Sequence, residues 1–220
     1  MSASFELAAA PALDDLQVFL ARAARVEEGS VRLIAGSGVL AVYSAIFYPA
    51  GLLDESPTVL GLRTVALAPG GAPFDAVVPV RSLQQRVERA QADGTTSVGL
   101  PMEVSTATWA AISPPRGGWS AAGELPASLL DGVARAGIRE VAAAIPDGAG
   151  ELIVRKVRSD VWGKPAPGAE HIPAGSAFAA LALGFLGDDP VKVYESGPWT
   201  RLTTARGHVL IKRRAWNLLR

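Results

Sequence analysis

Two short stretches of this chain set a cation beside an indole within sequence rich in proline and glycine. The first is residues 114–119, Pro-Pro-Arg-Gly-Gly-Trp. Prolines stiffen one side of Arg116 and glycines permit sharp turns on the other, so the arginine can present its planar fork to a carboxylate or phosphate. Trp119 would add a flat apolar surface with one polar N–H. Trp162 and Lys164 repeat the combination in the stretch 160–173. Arg116, Trp119, Trp162 and Lys164 are therefore the candidate ligand-binding residues, and the partner they suggest is a small anionic molecule or a peptide. The competing reading makes Trp119 a plug of the core beneath the loop and leaves Arg116 in solvent.

Acid–base chemistry has few carriers. The chain holds two histidines, His171 and His208. His208 falls in strand-like sequence. His171 lies shortly before an uncharged helix with Ser176 near its start, and is the candidate acid or base for a hydrolase- or transferase-like enzyme. No Gly-x-Ser-x-Gly and no Ser-x-x-Lys occurs, although a triad can assemble from distant residues. The adjacent acids 27/28, 54/55 and 188/189 border turns and helix ends, which does not bring two carboxyls to face one space. Gly36-Ser37-Gly38 lacks the third glycine of a dinucleotide loop and the lysine of a phosphate loop, and reads as a hairpin turn. With no cysteine in the sequence, disulfides, thiol nucleophiles and thiolate metal sites are excluded. No metal and no cofactor is expected.

The 21 basic and 21 acidic residues balance, which disfavours nucleic acid as a partner because such binders generally carry a basic footprint. The balance breaks at residues 201–220, which hold basic residues and no acid. Arg201, Arg206, Arg213 and Arg214 are the alternative, nucleic-acid-binding set. The stretch 129–145 has a helix–turn–helix outline, with Gly137 in the turn and Arg139 opening the second helix. A recognition helix of Val-Ala-Ala-Ala-Ile would offer little to base edges.

These side chains need elements to hold them. Apolar residues at three-to-four spacing predict helices over 13–28, 82–92 and 126–145, the last of these as one helix or two short ones. An uncharged buried helix is predicted over 174–186. Short apolar or alternating runs predict strands over 30–35, 39–48, 59–67, 74–80, 104–111, 151–158 and 191–195, and a terminal hairpin over 199–212. Residues 33–53 carry no charge, but the glycine turn and Pro49 argue for two buried strands rather than a membrane span. The order of elements predicts an α+β fold with mixed or largely antiparallel short strands, packing helices and a terminal β-hairpin. An N-terminal lobe over 1–111, a Pro/Gly-rich loop or seam over 112–124 and a C-terminal lobe over 125–220 are expected, packed as one domain or two. The chain reads as a cytoplasmic binding or protein-interaction protein without membrane attachment, with self-association open to it.

Overall fold

A computed structural model describes residues 3–27, 29–49, 51, 54–104, 107–146 and 148–212. The chain divides into two compact units. One comprises Met1–Ala45 and Leu62–Ile112, and the other Ile46–Gly61 and Ser113–Arg220. The architecture is α+β, with short antiparallel strands packed against helices.

The first unit runs through β1 (Ser4–Glu6), α1 (Ala10–Val26), β2 (Ser30–Gly36), β3 (Val39–Phe47), β4 (Thr58–Ala66), β5 (Phe74–Pro79), α2 (Val80–Ala92) and β6 (Ser97–Gly99). The last residues of β3 and the first of β4 belong to the second unit. Neighbouring strands follow the order β5-β2-β3-β4, and β1 pairs with β6 apart from them. Alternation explains the pairing. Leu33 of β2 stands opposite Val42 of β3 and Ala76 of β5, and Val31 stands opposite Val78, so the same face of each strand is buried. Ser37 and Gly38 both have positive φ, 53° and 76°, which is the two-residue turn that matches the twist of a hairpin. The uncharged run thus forms β2 and β3 over its described residues 33–47. No helix among the described residues is long and apolar enough to cross a membrane.

In the second unit the elements are β7 (Ser120–Leu125), α3 (Ala127–Ala144), α4 (Glu151–Trp162), β8 (Pro165–Ala166), β9 (Ala169–Pro173), α5 (Ala174–Ala182), β10 (Val191–Ser196), β11 (Trp199–Thr204) and β12 (Gly207–Lys212). Strand neighbours run β4-β12-β11-β10-β7, with the small β8–β9 pair separate. The terminal hairpin expected over 199–212 is β11 and β12.

Four sequence expectations give way. Residues 151–158 form helix, not strand. Their β-branched residues Ile153, Val154 and Val157 suit a strand, but Val154, Val157 and Val161 recur at helical spacing, and Glu151–Arg155 and Lys156–Asp160 close ion pairs one turn apart. Residues 108–111 form a short 3-10 turn rather than a strand. The irregular stretch after Trp162 contains the β8–β9 hairpin. Residues 127–144 form one unbroken helix, so the helix–turn–helix outline fails.

Gly137 explains that last point. It is a notch rather than a turn: a Cβ there would overlap the six-membered ring of Trp162. Gly175 on α5 approaches the same residue, with Trp162 Cβ 3.2 Å from where a Cβ would stand. Trp162 is buried, stacks on Phe178 with ring centroids 4.5 Å apart, and joins Val161 and Ala174 in a cluster flanked by Phe47, Val133, Val141 and Val157. Helix propensity alone favours alanine over glycine by about 1 kcal/mol, while overpacking a filled core costs about 1–3 kcal/mol. Gly137→Ala is therefore expected to lower the free energy of unfolding measured in urea. Stability equal to or above that of the parent chain would mean that the indole is not seated against this glycine.

Candidate functional site

Two cationic surfaces emerge, one in each unit. In the first unit, α2 buries Val80, Leu83, Val87 and Ala90, at the three-to-four spacing of one helix face. The opposite arc exposes Arg81, Arg86 and Arg89, with Arg81 and Arg89 about 12 Å apart along the axis. The one acid of α2, Glu88, accepts a hydrogen bond from Gln17 of α1 at 2.6 Å. Gln91 donates in return to Asp14 of α1 at 2.6 Å. Asp15 is held by the guanidinium of Arg63 through paired contacts. Asp14, Asp15 and Glu88 are thus engaged, and Arg86 and Arg89 stand exposed, with the exposed Asp93 one turn beyond Arg89 at the C-cap of α2. Elsewhere in the unit, Arg32 forms a two-pronged pair with Asp75 at 2.8 and 2.6 Å and donates to the carbonyl of Ala110 at 2.7 Å. The hydrogen bond that Arg32 donates to Asp75 holds the arginine pKa above its ordinary value against the opposing effect of burial. This arginine ties β2, β5 and the 3-10 turn together, and its role is structural.

In the second unit the centre is Arg201 on β11. Its guanidinium lies 4.6 Å from the ring centre of Trp119 and 4.7 Å from that of Tyr194 on β10. Its Nε is buried without a hydrogen-bond partner among the described residues. Burial pulls the Arg201 pKa below its ordinary value, and Tyr194 opposes this. Cation–π attraction to two rings holds a partly desolvated charge in place, and no described carboxylate offsets it.

The residues singled out in the sequence disperse. Trp119 is half-buried, and its indole N–H donates to the carbonyl of Pro115 at 3.2 Å. The guanidinium beside its ring is Arg201, whereas Arg116 is exposed. Trp162 is 3% exposed and its ring is closed off in the core, so it offers no surface to a ligand. Lys164 is exposed and pairs with Glu140 at 2.5 Å. His171 is exposed on β9 beside Glu170, whose pKa is lowered by the backbone hydrogen bonds it accepts. Arg206 donates to the carbonyl of Leu186 at 2.9 Å. It lines an open cleft of about 950 Å³ together with Glu124, Asp131 and Asp188, and none of the other candidates lines this cleft. Arg213 and Arg214 lie outside the described residues. Arg201 and Arg206 do not form one stripe, since the first is held by aromatic rings and the second by the loop after α5. No group of three or more acids and histidines that could hold a metal ion occurs among the described residues. Tyr194 was missed, although the alternation Lys192, Tyr194 and Trp199, Arg201, Thr203 in two runs joined by Gly197-Pro198 already placed it near Arg201.

Residues 1–108 match the family described as Domain of unknown function (DUF8010), and residues 114–216 match the one described as Domain of unknown function (DUF8185). No curated protein matches the chain. Among solved structures, the DNA polymerase III subunit beta from Borrelia burgdorferi, in complex with a natural product, is similar with a TM-score of 0.54 and 9% identity, over 96% of this chain and 64% of that one. The C. crescentus beta sliding clamp with PEG bound to its putative beta-motif tethering region is similar with a TM-score of 0.50 and 14% identity, over 96% of this chain and 65% of that one. The fold is that of the sliding clamps. The chain spans a little under two thirds of the length of these proteins.

This likeness to DNA polymerase III beta subunits overturns the expectation that nucleic acid is a disfavoured partner. The physical reason lies in what net charge measures. It sums over the whole chain and is blind to a helix that exposes Arg86 and Arg89 while its own acid, Glu88, is engaged by Gln17.

Removing the ring of Trp119 takes away one of the two aromatic contacts of Arg201 and the bond to Pro115. Trp119→Ala is expected to cost about 1 kcal/mol of stability in chemical denaturation without unfolding the chain. Unchanged stability would show that this ring does not hold the loop to β10 and β11.

Proposed function

We propose that this chain is a DNA-associated, clamp-like protein that contacts duplex DNA through the cationic face of α2 and also serves as a platform for other proteins. The observation that carries the reading is the fold, shared over 96% of the chain with a DNA polymerase III beta subunit. The exposed arginines of α2 give it a physical basis. Arg86 and Arg89 sit one turn apart on a helix whose carboxylate is engaged elsewhere. Such a row suits phosphates, which take charge and position without reading sequence. Binding of this kind is sequence-tolerant and weakens steeply with salt.

Of the C-terminal cations that the sequence offered for nucleic-acid contact, Arg206 is tied to the carbonyl of Leu186. A catalytic role for His171 draws no support from its surroundings, where its exposed imidazole lies outside the cleft lined by Arg206.

Fluorescence anisotropy with a labelled duplex tests the reading. Affinity is expected to fall as salt rises, and the Arg86→Ala/Arg89→Ala variant is expected to bind more weakly, with a log–log salt slope reduced by about 2. Duplex binding that stays undetectable at low salt, or a double variant with the parent slope, would remove α2 as the contact.

A further inference from the structure

The register of the last three strands sets a second cationic array apart from α2. Lys192, Thr203 and His208 stand opposite one another on β10, β11 and β12, as do Tyr194, Arg201 and Leu210, and then Ser196, Trp199 and Lys212. These rows share one face of the three strands. The intervening rows, Val193/Leu202/Val209 and Glu195/Thr200/Ile211, form the other face and are buried apart from Glu195, while on the first face only Trp199 and Leu210 are buried. Lys192, Arg201 and Lys212 thus occupy successive rows on successive strands and form a diagonal line, with neighbours about 7–8 Å apart. Glu124 of β7 stands opposite Lys192 in register but makes no ion pair with it among the described residues.

Two half-buried aromatic rings accompany this line, Trp119 and Tyr194, which flank Arg201. Trp199, whose ring centre lies 5.9 Å from the ammonium of Lys212, is buried and belongs to the core. Rings beside phosphate-seeking cations are the elements of a path for unpaired bases, since every base has a face that can stack. A duplex keeps its bases stacked inside and would leave these rings unused. Arg201, held within reach of a buried surface without a counter-charge, is the point on this face where an anionic backbone gains most from docking.

We infer that the face of β10–β12 carrying Lys192, Arg201 and Lys212 is a binding path for single-stranded nucleic acid, distinct from the α2 face proposed for duplex. The line of cations holds the backbone, and the half-buried rings of Trp119 and Tyr194 accept bases at its centre.

Anisotropy with a labelled oligothymidine of about 20 nucleotides tests this on the full chain. The Lys192→Gln/Lys212→Gln variant leaves the Arg201 stack untouched and is expected to bind the oligonucleotide about tenfold more weakly. Its salt slope is expected to drop by about 1.4, and its duplex affinity to stay at the parent value. Trp119→Phe is expected to keep most of the affinity, while Trp119→Ala loses several-fold. The inference is overturned if oligothymidine binding is undetectable at about 50 mM salt, or if the lysine variant binds as the parent does. Equal loss of single-strand binding in the Arg86→Ala/Arg89→Ala variant would overturn it by merging the two surfaces. Displacement of the oligonucleotide by polyglutamate at equal charge concentration would do so by assigning the face to acidic protein segments. Failure of duplex binding alone would leave this face standing, so the two readings fail separately.

Discussion

The second unit is organised around the space occupied by one indole. Trp162 closes α4, stacks on Phe178 of α5 and fills the notch that Gly137 leaves in the middle of α3. Gly175 clears room for it at the start of α5. Three helices can approach because two residues at the contact lack a side chain and the third supplies a large one. With these helices packed together, the buried residues of β10–β12 have an interior to face. The opposite rows of the same strands, which carry the cations, follow from alternation.

Charge follows a similar economy of position. Acids and bases balance over the chain, but many acids are engaged locally. Asp14 and Glu88 accept from glutamines, Asp15 and Asp75 hold arginines, and Asp131, Glu140, Glu151 and Asp160 pair with neighbours on or beside their helices. Exposed pairs of this kind add little to stability, because water and salt screen them. Their larger effect is on the surface potential, since they leave Arg86 and Arg89 on one face and Lys192, Arg201 and Lys212 on another. A chain with no net charge can therefore present cationic surfaces. The desolvated Arg201 is the extreme case, because aromatic rings rather than a carboxylate hold it in place.

Much of the architecture was legible in the letters. The alternation of β2, β3 and β5 and the Gly36–Gly38 turn give a hairpin by local rules, and the apolar spacing of α1 and α2 gives two helices. Residues 151–158 misled because β-branched residues satisfy a period of two as readily as a helical one, and the ion pairs at 151/155 and 156/160 were the overlooked signal. At the candidate site, the pairing of Trp119 with Arg116 was an inference from nearness in sequence. The loop instead places Trp119 over a residue 82 positions later, on a strand whose alternation was visible but whose neighbour was not.

The sequence by itself determined the α+β class, most helices and hairpins, and the inventory of arginines and indoles available for contact, because each depends on periodicity and turn chemistry within a few residues. Only the tertiary structure decided which cations are left without an acid, which indole is core and which lies beside a guanidinium, and that Gly137 is a notch rather than a bend. Those outcomes depend on contacts between residues far apart in the chain, and local spacing carries no record of them.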